Sequence, residues 1–159
     1  MGKEVKTNAM RMLDRQKIPY RLNQYECEEF IDGVTIADKL GQSYDISFKT
    51  LVTVGKSRQY YVFALPVDKE LDMKKAARAV GEKNVEMVPV KDINKITGYI
   101  RGGCTPIGMK KQFPTVIHES AGKLDEMIIS GGRLGEQIML KPEDLLRATA
   151  GKLEDIIKD

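Results

Sequence analysis

The sequence predicts a mixed α+β domain, and three observations carry that expectation. Short apolar runs with strand composition recur along the chain, bounded by glycine and proline. Between them lie short amphipathic stretches opened by Thr or Asp and closed by Gly. The two kinds of segment are interleaved irregularly, unlike the regular alternation of a doubly wound sheet. The 159 residues, 42 % apolar and 31 % charged, suit one folded domain spanning residues 1–159 with a real core.

Thr7 caps a helix over about residues 8–17, with Met10 and Leu13 on its inward stripe, and Pro19 ends it. A strand follows at Tyr20–Tyr25. Asp32-Gly33 opens a helix through Val34, Ile36, Ala37 and Leu40, with Gly41 as its C-cap. Ile46–Val54 reads as a strand, Gly55–Arg58 as a turn, and Gln59–Leu65 as the return strand of a hairpin stopped by Pro66. Asp72 caps a helix over about 73–80 that Gly81 ends. Val85–Val88 is a short strand, and Lys91–Thr97 makes one or two helical turns closed by Gly98. After a loop at 101–108 come strands at 115–118 and 127–130, a turn at 131–135 and a strand at 137–140. Pro142 then fits the first turn of a last helix carrying Leu145, Leu146 and Ala148.

Composition narrows the function classes. No run of about 18 apolar residues exists, so no membrane span is expected. The start, Met1-Gly2-Lys3-Glu4-Val5, lacks the apolar stretch of a secretory signal, which points to the cytoplasm. Cys27 and Cys104 leave one disulfide pairing open, although a signal-less chain suggests a reducing compartment. Net charge is only +3, too weak to imply nucleic-acid binding by itself. Three basic clusters (Arg11, Arg15, Lys17 and Arg21; Lys56 and Arg58; Arg101, Lys110 and Lys111) read singly as solvated faces. If they converge, they can meet a phosphate backbone.

Most catalytic constellations are missing. His118 is the sole histidine and sits within an apolar strand, a structural position more often than a catalytic one. No Cys-x-x-Cys or His-x-x-x-His spacing offers a zinc site, and no metal or cofactor is expected. There is no Gly-x-Ser-x-Gly elbow, Walker loop or Gly-x-Gly-x-x-Gly fingerprint. Three features are left. Lys49 interrupts the strand Ile46–Val54, on the face it shares with Leu51. Strand statistics alone place such a lysine at the surface, unless its charge is used. Gly102-Gly103-Cys104-Thr105-Pro106-Ile107-Gly108 and Ser130-Gly131-Gly132 are loops whose amides can approach a phosphate or a carbonyl oxygen that gains charge. Singly, each reads as a tight turn.

Together these residues resemble the YbaK family. The resemblance rests on Phe48-Lys49-Thr50-Leu51-Val52, on Gly102–Gly108 with Lys110-Lys111 behind it, on Ser130-Gly131-Gly132-Arg133-x-Gly-x-Gln-Ile-x-Leu, and on Pro142-Glu143-Asp144-Leu145. Thr7-Asn8-Ala9 and Ile18-Pro19-Tyr20 fit as well, so it covers essentially the whole chain. Members are free-standing relatives of the editing domain inserted in bacterial prolyl-tRNA synthetases. The resemblance implies a mixed sheet, partly closed into a barrel and surrounded by helices. It implies hydrolysis of cysteinyl-tRNA(Pro), and also of cysteinyl-tRNA(Cys), with prolyl-tRNA synthetase as partner in a transient ternary complex with the tRNA acceptor end. The essential lysine falls on Lys49, the Gly-x-x-x-Pro loop on Gly102 to Pro106, and the site serine on Ser130 beside Gly131. The site tyrosine and phenylalanine fall on Tyr20 and Phe30. Relatives can carry aspartate where this chain has Gln137, which hydrogen-bonds but cannot act as anion or base.

The family mechanism assigns the nucleophile to the substrate, whose own thiol attacks the ester. In that scheme Lys49 anchors the terminal adenosine, its phosphate or the ester region. The amides of Gly102 and Gly103 face the carbonyl oxygen, and Tyr20, Phe30 and Leu51 shape the pocket. Thr50, Cys104, Thr105 and Pro106 complete the expected substrate-binding set, with Cys104 more a packing residue than a nucleophile. Two other readings stand beside it: an alanyl-tRNA(Pro) deacylase, and a non-catalytic module that binds tRNA ends or a synthetase.

Overall fold

A computed structural model of the chain describes residues 5–159; the polar start at residues 1–4, read above for the lack of a signal, lies outside them. Helix α1 (Asn8–Arg15) begins at Thr7, whose hydroxyl accepts the Met10 N–H at 3.3 Å and donates to the Gly131 carbonyl at 2.6 Å. One side chain thus caps the helix and ties it to the second glycine loop. Ala9, Met10 and Leu13 are buried, as the spacing predicts. Strand β1 (Arg21–Gln24) and helix α2 (Gly33–Leu40) follow; Asp32 caps α2 by accepting the Thr35 N–H at 2.8 Å, and Gly41 closes it at φ 67°.

The predicted hairpin forms between β2 (Phe48–Gly55) and β3 (Tyr60–Pro66), with Lys49 opposite Leu65 and Leu51 opposite Phe63. Helix α3 (Met73–Val80) is capped by Asp72, and β4 (Val85–Met87) pairs with the outer edge of β2. Helix α4 (Ile93–Thr97) leads into the glycine loop. Then come β5 (Thr115–His118), β6 (Met127–Ser130), β7 (Glu136–Leu140), helix α5 (Pro142–Thr149) with Pro142 in its first turn, and β8 (Lys152–Glu154).

The strands make two sheets. One is antiparallel, in the order β1-β7-β6. The other is mixed, in the order β4-β2-β3-β5-β8, with β3, β5 and β8 mutually parallel. Among the described residues no closed barrel forms: a single parallel bridge between Ser47 and Ile128 joins the sheets, supported by the Ile128 N–H to the Ile46 carbonyl at 2.8 Å. The resemblance to a partly closed barrel therefore reduces to two sheets meeting along one seam. Phe48 and Ile129 meet α1 and α5 in one core cluster. Phe63 and Leu65 pack under α3 in a second cluster. Val52 and Val62 face Tyr99 and Phe113 in a third. Among the described residues no helix is long and apolar enough to cross a membrane.

Candidate active site

The seam opens into a cavity of about 320 Å³, within the size range of small-ligand sites. One wall is the stretch Ser47–Val52 at the start of β2. The facing wall comes from the ends of β6 and β7, at Ile128–Ser130 and at Glu136 and Gln137. Residues 30–33 before α2, and Arg101, Gly102 and Cys104 of the glycine loop, complete it.

Lys49 is half-buried on the β2 wall, and its Nζ donates to the Val67 carbonyl at 3.3 Å. Burial pushes its pKa below the ordinary lysine value, while the carboxylates of Glu70, Asp68 and Asp32 oppose that shift. Among the described residues no direct ion pair offsets the solvation that the ammonium loses, which fits a group kept for an incoming anion.

The glycine loop is built more specifically than its composition shows. The Gly103 N–H donates to the Ile100 carbonyl at 2.9 Å, and Gly102 between them sits at φ 88°, the third position of a type II turn. A Cβ on Gly103 would lie 2.7 Å from the Arg133 backbone, and one on Gly102 would strike Leu134 at 2.7 Å. Both positions therefore need glycine, but for different reasons. The Gly103 amide is consumed by the turn, so the expected pair of amides narrows to Gly102, which alone of the two lines the cavity. The Ser130 hydroxyl donates to the Gly102 carbonyl at 3.2 Å and holds the loop against β6.

Phe30, Thr50, Leu51, Cys104, Ser130 and Gln137 join Lys49 and Gly102 around the cavity. Arg101 stacks over the Phe30 ring at 3.8 Å, so the rim carries an aromatic face under a cation. Cys104 is a free thiol that burial pushes up to about 12, which keeps it protonated and weakly nucleophilic; Cys27 is free too. Thr105 and Pro106 are buried behind the loop and do not reach the cavity, and the buried Gly131 spends its N–H on the Glu136 carbonyl at 2.8 Å. Tyr20 is not brought to the site: its ring packs against the α1 core cluster and its hydroxyl donates to Asp14 at 3.0 Å. Tyr25, at the other end of that predicted strand, lines the cavity instead. His118 is buried away from the cavity, its Nδ1 accepting the Ile156 N–H at 3.3 Å; burial lowers its pKa, consistent with a neutral structural ring. The basic clusters are partly spent on the fold, with Arg21 paired to Glu126 and Lys110 donating to the Lys95 carbonyl at 3.3 Å.

Sequence reasoning missed a group of carboxamides. Asn23 and Gln42 both donate to Gln137 Oε1, at 2.9 and 2.8 Å, and Gln137 donates back to Gln42 Oε1 at 3.0 Å. No local pattern joins residues 23, 42 and 137; only the β1–β7 register, with Asn23 opposite Gln137, and the position of Gln42 just after α2 bring them together.

The family description "Aminoacyl-tRNA editing domain" matches residues 32–148. The chain is 47 % identical over 152 residues to an Enterococcus faecalis (strain ATCC 700802 / V583) protein named "Putative Cys-tRNA(Pro)/Cys-tRNA(Cys) deacylase EbsC", covering 95 % of this chain and 93 % of that one. Its fold matches the crystal structure of a protein described as "a putative trans-editing enzyme for prolyl tRNA synthetase", with a TM-score of 0.84, 22 % identity, and 98 % and 100 % of the two chains covered. It also matches that of the hypothetical protein APE2540, with a TM-score of 0.86, 20 % identity, and 95 % and 99 % covered.

Proposed function

Because the chain belongs to the aminoacyl-tRNA editing domain family, in its free-standing YbaK branch, we propose that its cavity clears cysteine from cysteinyl-tRNA(Pro) and cysteinyl-tRNA(Cys). The chain is an aminoacyl-tRNA deacylase, and we read residues 1–159 as one editing domain around the family match at residues 32–148. The observation that carries the site assignment is the convergence of Lys49, Gly102, Ser130 and Gln137 on one cavity from four separate segments.

The cavity suits an aminoacyl group on its terminal ribose; an acceptor stem has to lie outside. Lys49, which among the described residues has no carboxylate in direct contact, anchors the anionic or carbonyl side of the substrate end. No general base is needed if the substrate thiol attacks its own ester carbonyl. The C–S bond forms, the C–O bond to the ribose breaks, and the thiol proton passes to the departing hydroxyl, leaving free tRNA and a thiolactone. Well-oriented intramolecular attack reaches effective molarities of about 10⁵ M or more, so orientation supplies most of the acceleration. The half-buried, protonated Cys104 supports this assignment of the nucleophile to the substrate.

The protein acts in the cytoplasm. Its weak overall charge leaves selection of tRNA(Pro) to a partner, and prolyl-tRNA synthetase in a transient ternary complex fits that need. The test is a panel of cysteinyl-, seryl- and alanyl-tRNA. Rapid loss of cysteine alone is expected. Equal loss from the serine ester overturns thiol-assisted cleavage, and preferential loss of alanine moves the specificity to alanyl-tRNA(Pro).

A further inference from the structure

Ser130 on β6, Gln137 on β7 and Asn23 on β1 occupy one lateral row of the three-stranded sheet. Gln42 lies over that row and exchanges two hydrogen bonds with Gln137, at 2.8 and 3.0 Å. A carboxamide offers two N–H donors and one oxygen with two lone pairs. The oxygen of Gln137 already accepts from both Asn23 and Gln42, which fills it. Its nitrogen gives one N–H to Gln42 and keeps the second. Gln137 is 7 % exposed and lines the cavity, so that second N–H is its remaining hydrogen-bonding capacity there.

A group in this state can recognise only an acceptor. An ammonium finds no lone pair on it, whereas an ester carbonyl oxygen is a natural partner whose bond strengthens as negative charge develops. The glycine loop fills this need only in part, because the Gly103 amide is consumed by its turn and Gly102 alone of the two lines the cavity.

We propose that the Gln42–Gln137 carboxamide pair is a donor element of the site, with Gln42 and Asn23 orienting Gln137 so that its spare N–H binds the ester carbonyl oxygen beside Gly102. Glutamine here is then not a weakened stand-in for a carboxylate but a group of opposite hydrogen-bonding sense.

This inference rests on the deacylase reading, and the experiment separates the two. Single-turnover deacylation of cysteinyl-tRNA(Pro) is measured for the unaltered protein, Gln137→Met and Gln137→Glu. Both variants are expected to lower the maximal single-turnover rate constant about 10²–10³-fold with little change in the half-saturating enzyme concentration, the usual effect of losing one oxyanion donor. Gln137→Glu matching or exceeding the unaltered protein overturns the proposal and assigns the position to a carboxylate. An unaltered protein inactive on every aminoacyl-tRNA overturns the deacylase reading instead. A second measurement does not depend on the variants folding. A non-hydrolysable 3′-amide analogue of cysteinyl-adenosine is titrated into ¹⁵N-labelled protein. One carboxamide proton of Gln137 is expected to shift on binding; saturation without such a shift overturns the proposal.

Discussion

Strands β2 and β3 share a seven-pair antiparallel register yet live in different surroundings. From Tyr61 to Pro66, β3 is buried without a break, at the centre of the larger sheet with neighbours on both sides. Its partner β2 is buried at Phe48, Val52 and Thr53 but only half-buried at Lys49, Thr50 and Leu51. The cavity lies against those three residues. The same hydrogen-bond ladder therefore supports a closed core on one strand and a solvated wall on the next. Regular pairing with β3 holds Lys49 in place, so the wall gains order without gaining burial.

The largest expected effect lies on the closed side of this comparison. Phe63 is completely buried, and Phe63→Ala is expected to cost about 3–5 kcal/mol, read as a fall in the unfolding midpoint in denaturant. A loss below about 1 kcal/mol would show that β3 is not the rigid partner described. On the open side, Lys49→Met is expected to leave that midpoint within about 0.5 kcal/mol, because a partly desolvated ammonium without a direct ion pair contributes little stability. The same change is expected to reduce deacylation about a hundredfold or more. A large stability loss with unchanged deacylation would reverse the contrast between the strands.

The two readouts also part company with pH. The pKa of Lys49 is lowered in the folded protein, so between that value and the unfolded one the folded state binds fewer protons. Stability from this group therefore rises as pH rises through the window. Activity moves the other way, since anchoring needs the ammonium: background-corrected kcat/KM is expected to fall as pH rises through the lowered Lys49 pKa. Lys49→Arg is expected to remove that alkaline limb, whatever activity its wider head group retains. The smallest effect is at the cavity edge. Asp32→Ala is expected to cost about 1 kcal/mol by removing the α2 cap, while Asp32→Asn costs only a few tenths because asparagine caps equally well. Equal losses in both, measured by thermal unfolding, would show that the Asp32 charge matters beyond the cap.

The hairpin, the caps at Thr7, Asp32 and Asp72, and the glycine stops at 41, 81 and 98 were legible in the sequence because each is decided by neighbours a few residues away. Strand β8 was not: three residues, two of them charged, become a strand only by lying parallel to β5. The site divides the same way. Lys49 and the glycine loop announced themselves through residue types that are costly or unusual in their positions. The exchange of Tyr20 for Tyr25 was hidden because both tyrosines flank one short strand, and only the three-dimensional path decides which end meets the cavity. The Asn23–Gln42–Gln137 group was hidden because each residue alone is an ordinary polar side chain.

The bridge between Ser47 and Ile128 has a mechanical meaning. Lys49 rides on one sheet and Asn23 and Gln137 on the other, so one rung and shared packing, not a continuous ladder, span the gap between cation and carboxamides. The candidate site is thus a keystone gap: each wall keeps its own ladder, and the core packed between the sheets sets the distance across it.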